Sequence, residues 1–479
     1  MDKQGLEEWL DRKTKEFTAV SDLVWGYAET RFEEVQSAKL LADCLEQAGF
    51  TVERGTAGLA TAFQASFGQG KPVIALLGEY DALSGLSQQG DVAEKKPITP
   101  GDSGHGCGHN LLGVGALAAA MAVKEYLAAN HVSGTVRFYG CPGEEGGSGK
   151  AFMAREGVFD DVDAALTWHP HGHNAVYSVR TLANYQVYFR FHGKSAHAGA
   201  APHLGRSALD AVELMNVGVN YLREHVIPEA RLHYAVTNTG GSAPNVVQAE
   251  AEVLYLIRAP KLKQVQEIYD RVCNVAKGAA LMTGTDCEIV FNKGCSDCLP
   301  NDTLEKLLYE NYLTVGAPQW SEAELTLARK IQATLADSDK ENDWNVAKAI
   351  MGNQDKALLA ELKQVPLAHK ILPYQHDSML LTGSTDVGDV SWITPTAQIS
   401  AACQAFGTPG HSWQTVSQGV TSIAHKGMLT AAKVLAKTAV DLFLAPDLLA
   451  TAKQELIEKR DGEDYKCPIP AGIKPSPAK

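Results

Sequence analysis

The 479-residue chain contains no run of lysines and arginines and no recognisable RNA- or DNA-binding motif. Its formal net charge of −13 argues against a nucleic-acid surface. It does not exclude an anionic substrate, because a local arginine or metal can override the global field. No apolar run is expected to be long enough to span a bilayer. The N-terminal stretch MDKQGLEEWLDRKTKEF is charged and amphipathic and lacks an apolar h-region. No signal peptide is therefore expected, and the expected location is cytoplasmic. The nine cysteines are scattered and odd in number, which suits a reducing compartment better than a disulfide framework. No GxSxG elbow is present, which disfavours a serine hydrolase of the α/β type. The stretch Gly146–Lys150 (GGSGK) looks like a phosphate loop, but the required upstream glycine position holds Glu144, a carboxylate where a phosphate would sit. Cys295 and Cys298 form a lone CxxC with no second pair, so they read as structural. There are no internal repeats or low-complexity tracts.

What is present is an ordinary globular composition, 45% apolar and 21% charged, in a chain too long for one core. Two domains, or one domain with a large insert, are expected. Leu6–Tyr27 and Ser37–Ala48 read as amphipathic helices, with Gly49 as a stop. Lys71–Glu79 is a continuous apolar run, the pattern of a strand buried on both faces. Ser84–Gly104 is rich in turn residues and reads as a surface loop. Gly113–Ala129 reads as a helix, Val136–Tyr139 as a strand, Gly149–Glu156 as a short helix and Ala164–His169 as a third buried strand. This alternation predicts an α/β unit with a mostly parallel sheet. From about residue 182 the pattern changes to strand, helix, two strands, helix, strand. That order is the ferredoxin-like split βαβ unit, read as an insert over 182–298. Residues 302–370 read as charged helices with exposed stretches such as Asp337–Asp343. Gln398–Phe406 and the strong helix Ser422–Leu444 return the chain to the first unit, and Asp461–Lys479 reads as an extended strap.

The chemistry-bearing residues collect at the predicted strand ends. Thr135–Tyr139 has a strand composition, breaks at Gly140, Pro142 and Gly143, and delivers two adjacent carboxylates, Glu144 and Glu145. Neighbouring anions at the end of a buried strand are costly unless a cation or proton compensates them. One could bind a metal while the other moves protons; a solvated acidic turn is the alternative. Glu79 and Asp81 follow the first buried strand, Cys107 and His109 precede a helix, and His169 ends the third strand. In an open α/β sheet the carboxyl ends of the strands line one crevice, so four segments would deliver Glu, Asp, Cys and His to one place. His171 and His173 read as solvated loop histidines.

The motifs GEYDAL, GHGCGHN, CPGEEGGSGK, TWHP, SAHAG, GGSAPNVV and GTPGHSWQ occur in the order found in peptidase family M20, and the chain resembles that family's aminoacylase-like and auxin-conjugate hydrolase branch. The resemblance implies an α/β catalytic domain with a mixed, mostly parallel sheet, in two parts (residues 1–181 and 299–479), and an inserted ferredoxin-like dimerisation or lid domain (182–298). It implies Cys107, His109, Glu145, His169 and His411 as metal ligands, Glu144 as general base and Asp81 as the carboxylate that orients a ligand imidazole. It implies His197 as a histidine reaching into a partner subunit's site, and Asn245 and Arg258 as substrate contacts. The implied cofactor is a divalent metal, Mn²⁺ or Zn²⁺, as one or two ions. Many members carry His-x-Asp where this chain has Glu79-Tyr80-Asp81, and Asp where it has Asn110, which leaves the number of ions open. The implied reaction is hydrolysis of an N-aroyl amino acid, foremost p-aminobenzoyl-glutamate. Another N-acyl amino acid or amide is the alternative, as is a subunit that completes a homologous partner's site in a homo- or heterodimer.

Overall fold

The computed structural model describes residues 1–352 and 354–477. The apolar run at the centre of the first unit becomes the strand Val73–Glu79, every residue of which is buried. It lies in a seven-stranded sheet in the order Thr51–Arg54, Phe63–Gln69, Gly134–Cys141, Val73–Glu79, Ala164–His171, Thr396–Ala402, Ala175–Val176. The sheet is mixed. The four strands from Gly134–Cys141 to Thr396–Ala402 run parallel, and the flanking pairings are antiparallel. The strands Thr51–Arg54 and Phe63–Gln69 have no counterpart in the sequence reading; short and partly exposed, they carry little apolar signal.

The helix His109–Asn130 starts ahead of the predicted Gly113. Its small residues let it lie against the sheet; a Cβ at Gly113 would meet the Glu79 carbonyl oxygen at 2.6 Å. This helix is long and apolar enough, by length and composition, to cross a membrane, which corrects the expectation that no such run exists. It is instead the core helix of the first unit, buried along most of its length between the sheet and the helix Ser422–Leu444. All nine cysteines are free.

Residues 183–295 build a second sheet with its own core. Its strands lie in the order Asp286–Cys295, Ala183–His192, Glu250–Ala259, Arg231–Asn238, all antiparallel. The helices Ala208–Leu222 and Leu262–Thr283 cover one face, burying Val212, Met215, Val265 and Ile268 against Val187, Phe189, Tyr255 and Ile257. The alternating burial of Glu250–Ala259 is the signature of a sheet covered on one side. The edge strand Arg231–Asn238 leaves Tyr234 and Val236 exposed. Cys295 and Cys298 are buried, and the Asn184 amide donates to the Cys295 sulfur at 2.9 Å.

Among the described residues, five helices (Asp302–Val315, Glu322–Gln332, Asp337–Met351, Lys356–Leu362 and the short Val387–Ser391) follow before the strand Thr396–Ala402 re-enters the first sheet. Asp343 does not share the exposure expected of Asp337–Asp343; its carboxylate is turned inward and accepts the Gly407 N–H at 2.8 Å. The C-terminal strap has no regular structure over its described residues, and Ile469 is buried against the first unit; residues 478–479 lie outside the described residues.

Candidate active site

Four parallel strands end side by side: Glu79 pairs with Cys141 in register, and His169 with Ser400. The turn after Gly134–Cys141 carries Glu144 and Glu145, and the helix start carries His109. Asp81 is the hub. Its Oδ1 lies 2.9 Å from His109 Nδ1, and its Oδ2 accepts the Glu145 backbone N–H at 2.7 Å. One buried carboxylate thus fixes both an imidazole and the glutamate turn. The contact with Asp81 leaves His109 Nε2 pointing into the pocket.

Cys107 Sγ sits 3.4 Å from His169 Nε2, whose ring is held from behind by the Pro170 carbonyl, 2.9 Å from Nδ1. His411 arrives from a loop near the far end of the chain. It adopts φ = 58°, a left-handed conformation that costs a non-glycine residue about 1–3 kcal/mol. Its N–H donates to the Gly106 carbonyl at 2.9 Å, tying the loop to the Cys107 turn. His411 Nε2 then lies 3.2 Å from Glu145 Oε1.

These side chains form three overlapping groups whose ligand-type atoms lie within 4.8 Å of one another: Cys107 with His109 and His169; Cys107 with Glu145 and His411; and Glu79 with His109 and Glu144. Cys107 is common to the first two. His109 Nε2 and Glu145 Oε1 are buried without a hydrogen-bond partner, although the neighbouring Glu79 and His411 lie 3.3 and 3.2 Å away. Two orphaned buried ligand atoms facing a thiol and an imidazole are what a divalent ion would satisfy. The mixed sulfur, nitrogen and oxygen donors fit such an ion.

The charges agree. Burial pushes the Cys107 thiol up, with Glu145 adding to the effect. Burial, with the charges of Glu79 and Glu145, holds Glu144 well above the usual carboxylate range. Burial also opposes ionisation of Glu145, but His411 and His109 outweigh it and hold this carboxyl at about 2. Among the described residues, neither Glu144 nor Glu145 lies within salt-bridge distance of a lysine or arginine.

Sequence reasoning misses Lys150. It ends the rejected phosphate-loop motif, yet it is fully buried, with Nζ 2.6 Å from both Glu79 and Asp386. Its backbone N–H also donates to Asp386 at 2.8 Å. A lysine cation therefore neutralises Glu79. A lysine buried in the helix Gly149–Arg155 and paired with a glutamate at the end of a distant strand leaves no signal in either local pattern.

The residues expected on the second unit are placed differently. His197 is exposed, its Nδ1 accepting the N–H groups of Gly199 and Ala200, and it belongs to none of the ligand groups among the described residues. Asn245 is exposed, and its carbonyl accepts the Ala198 N–H at 2.9 Å. Arg258 donates to the Thr382 carbonyl at 3.2 Å, and its Nε is buried without a partner. A cleft of about 840 Å³ opens beside Glu145, lined by Arg31 and Ser84 from the first unit and by Tyr188, Arg190 and Asn238 from the second. His171 and His173 are not solvated as expected; His173 is fully buried.

Residues 75–441 match peptidase family M20/M25/M40. The chain belongs to this family. It is a metal-dependent hydrolase of that group, and its fold is the family's. It is 56% identical over 474 residues to the B subunit of p-aminobenzoyl-glutamate hydrolase from Escherichia coli (strain K12), spanning 99% of this chain and 98% of the relative. It is 28% identical to the A subunit of the same organism's hydrolase over 55% of this chain and 70% of the relative. A Bacillus subtilis peptidase of the M20 family, described as dinuclear metal binding, superposes with a TM-score of 0.56 over 91% of this chain and 99% of its own, at 17% identity.

Proposed function

We propose that the protein hydrolyses the amide bond of p-aminobenzoyl-glutamate, releasing p-aminobenzoate and glutamate. The observation that carries this reading is the pair of ligand groups sharing Cys107, with orphaned atoms of His109 and Glu145 aimed into them. The near full-length identity to the B subunit of the E. coli hydrolase supports the substrate. Cys107, His109, Glu145, His169 and His411 would hold the metal, as one or two ions, with Mn²⁺ and Zn²⁺ both compatible with the donors. When bound, such an ion lowers the pKa of water and polarises the scissile carbonyl. Asp81 keeps the His109 ring oriented. Glu144, once a cation in the pocket offsets the burial and neighbouring charges that otherwise keep it protonated, takes the proton of the attacking water and passes it to the leaving nitrogen. Arg258 and Asn245, and the arginines bordering the cleft, are suited to the carboxylates of a glutamate moiety.

The second unit serves as a dimerisation or lid domain in this reading. The exposed His197, which joins no ligand group among the described residues, is consistent with a histidine offered to a partner's site. A homologous subunit of the kind named for the E. coli hydrolase, or a second copy, would be that partner, and the cytoplasm the compartment. The test is release of p-aminobenzoate by the purified chain, supplied with Mn²⁺ or Zn²⁺, alone and with a co-expressed homologue of the A subunit. Turnover should exceed that of other N-acyl amino acids in a panel. Equal or better turnover of a non-aromatic acyl substrate would transfer the assignment to that substrate.

A further inference from the structure

The strand that carries the candidate ligand His169 continues through Pro170 to His171, then turns through Gly172 to His173. Both histidines face Asp343, which the helix Asp337–Met351 brings in from a distant part of the chain. One ligand-type atom from each of the three lies within 4.8 Å of the others. We propose that His171, His173 and Asp343 form a second metal site, distinct from the Cys107 pocket, for a divalent transition ion of the zinc class.

The decisive feature is His173. Its ring is fully buried, and neither nitrogen has a hydrogen-bond partner. A neutral imidazole has one donor and one acceptor, so a buried ring satisfying neither is costly. Nδ1 lies 3.9 Å from Asp343 Oδ1, too far for a hydrogen bond, yet close to the separation of two ligands that share an ion at about 2.1 Å each. The site is built rather than loose. Asn174 locks the turn, its Oδ1 accepting from the Ala402 N–H and the Tyr312 hydroxyl and its amide donating to the Ala368 and Lys370 carbonyls. The helix bearing Asp343 is pinned by Ala347, Ile350 and Met351 in a core shared with Ala175 and Phe406. Asp343 approaches so closely that a Cβ at Gly172 would meet its Oδ2 at 3.0 Å, so the turn accommodates it with glycine. That Oδ2 already accepts the Gly407 N–H at 2.8 Å, which fixes the carboxylate and leaves Oδ1 for an ion. Two imidazoles and a carboxylate, all oxygen and nitrogen donors, suit zinc. Gly407 lies on the loop that carries His411, so an ion on Asp343 would also brace that loop.

Chelator-stripped protein, reloaded with Zn²⁺ and freed of excess metal by gel filtration, would be assayed for bound zinc by elemental analysis. The full-length wild type should hold one equivalent more than His173→Phe, which keeps an aromatic ring but removes the ligand. Asp343→Ala, a change at a partly exposed position, should lose the same equivalent and serves if His173→Phe does not fold. Cys107→Ser should retain it while losing zinc from the other pocket. Equal zinc content in wild type and Asp343→Ala would overturn the proposal, as would a Cys107→Ser protein with no zinc at all. None of these readouts depends on which amide, if any, the enzyme cleaves.

Discussion

The Cys107 pocket and the face of the second sheet carry equally suggestive residues, yet they differ in completeness. In the pocket, side chains spread from Glu79 to His411 meet within one chain; the His109 ring is held by Asp81, the His169 ring by the Pro170 carbonyl, and the loop of His411 by its backbone bond to Gly106. On the second unit, His197 and Asn245 are exposed, and the contacts they make are with each other's neighbouring loops and their own turns. The lesson is that the first unit can assemble a site alone, because parallel strands deliver their ends to one edge. The second presents His197 and Asn245 outward, away from every ligand group found among the described residues.

The largest expected effect breaks the chemistry and spares the pocket. Glu144→Ala should reduce kcat by about 10²–10⁴-fold while metal content, read by elemental analysis, stays at the wild-type level. Metal loss alongside activity loss would make Glu144 a ligand instead. Lys150→Met should destabilise the protein by about 3–5 kcal/mol in chemical denaturation, because it strands Glu79 and Asp386 without a cation. If stability were unchanged, the buried ion triad would not be holding the strand ends.

The comparison itself is sharpened by complementation. His197→Ala should be as inactive as Glu144→Ala when each is assayed alone. Mixing the two under conditions that exchange protomers should recover a fraction of activity, since a mixed dimer would contain one intact site. Failure to recover any would place His197's action within its own chain.

The smallest effect concerns pH. Glu34 is buried, accepting from the Thr61 hydroxyl and the Gly143 N–H. Burial, with the charge of Asp81, raises its pKa from 4.5 to about 8. A carboxyl raised in the folded state favours folding while protonated, so its contribution is full below about pH 4.5 and is lost as pH rises towards 8. Between those limits the wild type should lose stability relative to Glu34→Gln, at no more than about 1.4 kcal/mol per pH unit. Parallel pH profiles for the two proteins would contradict this.

Local patterns are legible where one rule governs one segment. The apolar run before Glu79 and the helix Ser422–Leu444 read directly, since burial on both faces or on one helical stripe writes its own periodicity. The split βαβ order is legible for the same reason. Asp343 misleads because a carboxylate in a charged helix looks solvated until its partner, the Gly407 N–H, is known. His171 and His173 mislead because the groups packed against the turn between them, Asp343, Ala405 and Phe406, lie far along the chain. Lys150 is invisible because its two carboxylates, Glu79 and Asp386, lie far from it on either side in the chain.

By itself, then, the sequence determined which residue types stand at the ends of the buried strands, and so the kind of chemistry available. Those choices are local, set by burial periodicity and turn residues. The tertiary structure alone decided which of those groups meet, which buried nitrogens are left without partners, and that a lysine rather than another ligand faces Glu79. Such matters depend on distances between segments remote in the chain, and on the desolvation that makes an unpaired buried group costly only once its surroundings have closed around it.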